Sequence, residues 1–141
     1  AESGFPGMKV LEFAFDSREP SNYLPHRYIR NCICYSGTHD NETLAQWLAQ
    51  TSETARAYAA EYLGLTEQEG YAWGILRSGL ASVADTFIAQ LQDYLGLGAE
   101  ARMNTPGTLS DRNWSWRLQP GLLTAELAHR LRRMNTMYER L

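Results

Sequence analysis

Apolar and polar positions alternate in blocks that predict three strands and four helices. Residues 8–15 (Met-Lys-Val-Leu-Glu-Phe-Ala-Phe) are apolar and aromatic and follow Pro6, which reads as a strand with Asp16 at its exit. Residues 17–30 show no helical period. Pro20, Asn22 and Pro25 make them a long loop, with Tyr23 and Tyr28 as aromatic anchors. Residues 32–36 form a short apolar run bounded by polar residues, the pattern of a buried strand, and Gly37 ends it.

Helical spacing begins after that break. Leu44, Ala45, Trp47 and Leu48 share one face of a helix over 41–50, with Asp40 and Asn41 where its N-cap belongs. Ala55, Tyr58, Ala59, Tyr62 and Leu63 form a second stripe over 52–63, closed by Gly64. Thr66 and Glu69 have the spacing of a capping box for a third helix, which carries Trp73, Leu76 and Leu80 and runs to about Ala84. Residues 87–92 read as a third strand ending at Asp93, and residues 95–110 as a long Gly/Pro-containing loop. Thr124 caps a last helix bearing Leu127, Leu131, Met134 and Tyr138. The order describes a helix-rich α/β chain.

The chain's 141 residues suffice for one domain with a modest core, and 44% hydrophobic with 21% charged residues is a globular composition. A net charge of -3, with the basic residues scattered apart from Arg130, Arg132 and Arg133, argues against nucleic acid as a partner. No apolar run is long enough to span a bilayer and no signal peptide is visible, so no membrane association is expected. Cys32 and Cys34 stand two apart on a strand, facing one side and too close for an ordinary disulfide. Their spacing to His39 or His26 matches no zinc pattern, so neither a metal nor another cofactor is expected. Two buried free thiols imply a reducing compartment. No phosphate-binding glycine loop and no G-x-S-x-G elbow occur.

The chemistry concentrates at residues 31–43. His39 and Asp40 fall between a strand exit and a helix entrance, where parallel α/β folds place reactive groups on a fixed backbone. Asp40 can also be read as a helix cap.

Six segments resemble, in order and spacing, one known family. They are Pro6-Gly7-Met8-Lys9-Val10-Leu11, Asn22-Tyr23-Leu24-Pro25-His26, Tyr35-Ser36-Gly37-Thr38-His39-Asp40-Asn41, Gln92-Asp93-Tyr94-Leu95-Gly96-Leu97-Gly98, Ala101-Arg102-Met103-Asn104-Thr105-Pro106-Gly107-Thr108 and Asn113-Trp114-Ser115-Trp116-Arg117. Together they resemble the C-terminal part of the 4-α-glucanotransferases, the amylomaltases or disproportionating enzymes of the α-amylase clan. The resemblance implies a (β/α)8 barrel of which residues 1–141 supply about the last three strands and the terminal helices. It implies transfer of α-1,4-glucan segments between maltodextrins, such as those of starch or glycogen, with retention through two displacements. The family's nucleophile and acid/base carboxylates lie on earlier strands and would precede Ala1, so this chain alone is expected to be inactive.

The third family carboxylate matches Asp40, which the resemblance makes a catalytic, transition-state-stabilising group. His39 matches a neighbouring sugar-binding His. Asp16 and Asn104 are further substrate-binding candidates, against plain turn roles for both. Trp114 and Trp116 are read as core or scaffold rather than sugar contacts. The family resemblance and the reducing compartment imply a cytoplasmic protein, or a plastid one if it comes from a plant. An arc cut from a barrel exposes strand edges, so self-association is expected. The alternative is a non-catalytic glucan-binding or interaction module.

Overall fold

The computed structural model describes residues 4–15 and 21–141. Strands β1 (Gly7–Val10), β2 (Cys32–Tyr35) and β3 (Thr86–Ile88) form one parallel sheet in the order β1-β2-β3. The register pairs Lys9 with Cys34 and Cys34 with Phe87, and pairs Val10 with Tyr35 and Tyr35 with Ile88. Laterally paired residues of a parallel sheet point to the same face. Cys32 and Cys34 therefore point together into the buried side and are both free thiols there. The other face carries Met8, Ile33, Tyr35 and Ile88. Among these, Met8 is 55% and Ile88 45% exposed.

Two strands are shorter than the apolar pattern predicts. The run at 8–15 leaves the sheet at Val10 and tightens into a 3-10 turn, Leu11–Phe15. That turn sends Leu11, Ala14 and Phe15 into the core, where Phe15 meets Trp47, Tyr58 and Tyr62 at ring separations of 6.1, 5.9 and 6.0 Å. The run at 87–92 ends as a strand at Ile88, and residues 91–94 form a short helix instead. Buried Gln92, whose amide donates to the Ala101 carbonyl at 3.1 Å, needs the helical geometry to reach it. The loop before β2 contains a 3-10 turn, Pro25–Arg27, started by its proline.

Helices α1 (Leu44–Gln50), α2 (Glu53–Leu63), α3 (Tyr71–Ala81), α4 (Leu91–Tyr94) and α5 (Ala125–Met137) complete the elements. Thr124 caps α5 as expected, its Oγ1 accepting from the Leu127 amide, and Gly64 closes α2 as expected, left-handed at φ 62°; the N-cap of α2 is Ser52, whose Oγ accepts from the Ala55 amide. Thr66 Oγ1 does accept from the Glu69 amide at 3.2 Å, but this bond closes a turn ahead of α3. Gly70 at φ 91° is the actual N-cap, and the Glu69 carboxylate accepts from Arg77 Nε at 2.8 Å. Helix α3 also stops earlier than expected, at Ala81, where Ser82 Oγ donates to the Gly79 carbonyl. Gly79 lets α3 approach the sheet, since a Cβ there would overlap the Phe87 ring. The expected apolar stripe of α5 is only half-buried, and no residue of that helix is fully buried.

Arg140 closes the α3–β3 connection. Its guanidinium donates to the carbonyls of Leu80, Ser82, Ala84 and Asp85 at 3.0, 2.7, 2.7 and 3.3 Å. Arg140→Ala removes every one of these donors and should cost about 1–3 kcal/mol of stability. Arg140→Lys should recover only part, because an ammonium cannot span four carbonyls with a fixed fork. Denaturant midpoints check this; a midpoint unchanged in the Ala variant would show that the clamp contributes nothing.

Candidate functional site

The loop from β2 to α1 is shaped by Asn41, not by Asp40. Asn41 Oδ1 accepts from the Thr38 amide and the Thr38 hydroxyl, both at 2.8 Å, and the Asn41 amide donates to the Thr38 carbonyl at 3.0 Å. The N-cap of α1 is Thr43, whose Oγ1 accepts from the Gln46 amide. The capping reading of Asp40 is therefore corrected. The helix starts three residues later than the sequence suggests, and the Asp40 carboxylate is left for other partners.

Those partners come from the next segment of chain. Asn104 Nδ2 donates to Asp40 Oδ1 at 2.7 Å, and His39 Nε2 lies 3.4 Å from the same oxygen. The Asp40 side chain remains 47% exposed. Arg102 ties the two loops together. It donates from Nη2 to the Asp40 carbonyl at 2.8 Å and from Nε to the Asn104 carbonyl at 2.9 Å, with Nη1 3.4 Å from Glu42 Oε1. The Asn104 amide donates to the His39 carbonyl at 3.1 Å. The Trp114 ring lies 5.0 Å from the His39 ring. A cleft of about 350 Å³ runs along the open sheet face, lined by Met8, Tyr35 and Ile88, and ends at Thr38 and His39.

Two buried acids underlie the loop. Asp93 accepts from Ser36 Oγ at 2.6 Å and from the Leu44 amide at 2.8 Å. Burial raises its pKa, while these two bonds oppose the rise. Glu12 is 6% exposed, and neither carboxyl oxygen has a hydrogen-bond partner among the described residues. Its carboxyl lies against Gly37, where an added Cβ would come within 2.9 Å of Cδ and both oxygens. Desolvation, then the charges of Asp93 and Glu42, push the Glu12 pKa up to about 9, with Arg102 opposing. Glu12 is therefore neutral at pH 7. Among the described residues no group of three His, Cys, Asp or Glu is placed to hold a metal ion.

A half-exposed carboxylate braced by an amide and an imidazole, on a backbone held by a guanidinium, suits recognition of a hydroxyl-rich ligand. The model of the 4-alpha-glucanotransferase family matches residues 1–124. The chain belongs to the 4-alpha-glucanotransferase family. It is 48% identical over 139 residues to the 4-alpha-glucanotransferase of Clostridium butyricum, covering 98% of this chain and 28% of that protein. Against the Thermus thermophilus 4-alpha-glucanotransferase the identity is 45% over 145 residues, covering 98% of this chain and 29% of the relative. Among solved structures, the amylomaltase of Streptococcus agalactiae in complex with acarbose superposes with a TM-score of 0.92 at 39% identity, covering 97% of this chain and 28% of that one. The chain thus spans under a third of the length of the 4-alpha-glucanotransferases it matches.

Of the four candidate residues, His39, Asp40 and Asn104 converge, and Asp16 lies outside the described residues. Sequence reasoning passed over Arg102, Asp93 and Glu12. Arg102 stands two residues before Asn104 in the family word, a signal that was available. The fixing role of Asp93 depends on a bond spanning 49 residues, which no local pattern carries. Trp114 is not a core residue here: it is 53% exposed, its backbone is left-handed at φ 63°, and its ring lies 5.0 Å from that of His39. Trp116 is half-buried.

Glu12 gives a pH prediction. It binds its proton more tightly folded than unfolded, so its contribution to stability is full below about pH 4.5 and is lost as pH rises through about 9. Glu12→Gln stays neutral throughout. It should flatten this fall and be more stable than the parent above pH 7, by on the order of 1–3 kcal/mol. Melting temperatures of both proteins from pH 5 to 9 check it; parallel curves would show that Glu12 is not the titrating group.

Proposed function

We propose that this chain is the C-terminal segment, residues 1–141, of the catalytic barrel of a 4-alpha-glucanotransferase that moves α-1,4-glucan segments between maltodextrins. Three parallel strands in sequential order, paired on one side only at β1 and β3, are what an arc of a closed (β/α)8 barrel supplies. The exposed Met8 and Ile88 face then packs against the remaining strands. The retaining mechanism needs a nucleophile and an acid/base carboxylate from outside these residues. The two buried thiols fit a reducing compartment, and the cytoplasm is the proposed location.

In this reading Asp40 stabilises the positive charge that develops on the donor sugar. His39, Asn104 and Asp16 contact the sugar hydroxyls. The observation that supports it is the freedom of the Asp40 carboxylate. Capping is done by Thr43 and turn closure by Asn41, yet Asn104 and Arg102 still hold Asp40 in one place. A fixed charge facing a charge that grows in the transition state acts on rate rather than on binding.

Asp40→Asn in the complete enzyme should lower kcat by about two to three orders of magnitude, roughly 3–4 kcal/mol, with its melting temperature nearly unchanged. Asn keeps an oxygen for the Asn104 amide and loses only the charge. Disproportionation rate and melting temperature measured on one preparation decide between a catalytic and a structural role. Activity within a few-fold of the parent would remove Asp40 from the mechanism.

Expressed by itself, the chain should transfer no glucose from maltotriose and should sediment as self-associated species, because its sheet edges and one apolar face lack their cover. Glucose release above a buffer blank would overturn the first expectation, and a clean monomer at high concentration the second.

A further inference from the structure

Trp114 occupies an expensive conformation without the usual compensation. It has φ 63°, a left-handed value that strains a bulky residue. Among the described residues burial does not offset this, since Trp114 is 53% exposed. The loop around it is braced without the indole. The Trp114 amide donates to the Met103 carbonyl at 2.6 Å, Arg117 Nη1 donates to the Trp114 carbonyl at 3.1 Å, and Asn113 bonds Thr105 and Thr108. Glycine would satisfy the same backbone more cheaply. What the indole adds is a rigid apolar face beside His39, with Asp40 and Asn104 next along.

Resting on the glucanotransferase reading, we propose that Trp114 is a binding platform for one pyranose ring of an α-1,4-glucan, adjoining the ring held at Asp40. A pyranose presents an apolar C–H face and a rim of hydroxyls. The indole matches the first, and the imidazole, carboxylate and amide match the second. The indole is ordered by only two side-chain torsions, so little entropy is lost on binding.

The test compares the complete parent enzyme with Trp114→Gly and Trp114→Phe, measuring kcat and KM on maltotriose through maltoheptaose together with melting temperature. The Gly variant should melt no lower than the parent, because the left-handed strain is relieved. Its KM should rise by about ten-fold with kcat within a few-fold, and Phe should restore most of the loss. An unchanged KM overturns the platform. A fall in kcat alone overturns it too, since Trp114 would then act only through His39. A lower melting temperature accompanying the loss, without rescue by Phe, returns Trp114 to the scaffold. A parent that neither binds nor transfers glucans overturns the glucanotransferase reading, and this proposal with it.

Discussion

Both ends of the loop that carries Asp40 are tied to one buried carboxylate. Asp93, from α4, accepts the Ser36 hydroxyl where β2 ends and the Leu44 amide where α1 begins. Everything between, residues 37–43, is strung across that anchor. The Leu44 amide is among the helix-start donors with no partner inside their own helix, so Asp93 also completes the cap that Thr43 makes only in part. A hydrogen bond in a buried setting tolerates little displacement, because an unmade bond there exposes the full desolvation cost. The junction is therefore held in position by a residue about fifty positions away.

Arg102 does for the outer side of the loop what Asp93 does for the inner. Its side chain is 17% exposed, and the guanidinium reaches two backbone carbonyls and a carboxylate in different directions. Only the planar fork of arginine satisfies such an arrangement. The consequence for Asp40 is indirect. Its backbone carbonyl is fixed by Arg102 and its side chain by Asn104, while Arg102 also fixes the Asn104 carbonyl. Position and orientation of the carboxylate are thus set by one cation acting on both loops. The neutral Glu12 beneath Gly37 adds bulk without adding a further negative charge to the same region.

What was legible in the sequence was whatever depended on local pattern. The strand at 32–36, the stripes of α2 and α5, the closure at Gly64 and the cap at Thr124 all follow from periodicity and from local capping chemistry. The errors share one cause. In 8–15 and 87–92 the apolar character is right, but it serves the core through a 3-10 turn and a short helix rather than through more strand. Composition reports burial and not the backbone path that achieves it. Asp40 stood where a cap belongs, and Thr43 took that role because Asn41 had closed the turn first. Trp114 looked like core because tryptophan usually is. A left-handed φ on a non-glycine residue has no signature in sequence.

The distribution of support separates two parts of this segment. The groups around Asp40 are fixed by Asp93, Asn41, Arg102 and Asn104, all within this chain. The sheet face carrying Met8 and Ile88 has no such cover among the described residues, and the cleft along it ends at His39. Placement of the Asp40 carboxylate is thus achieved by the described residues, whereas the sheet face along the cleft is left exposed by them. A fixed charge is worth most to a developing cation when water is excluded, because its field is then little screened. In the proposed glucanotransferase, the oriented carboxylate would act most strongly where the rest of the barrel excludes water from the cleft.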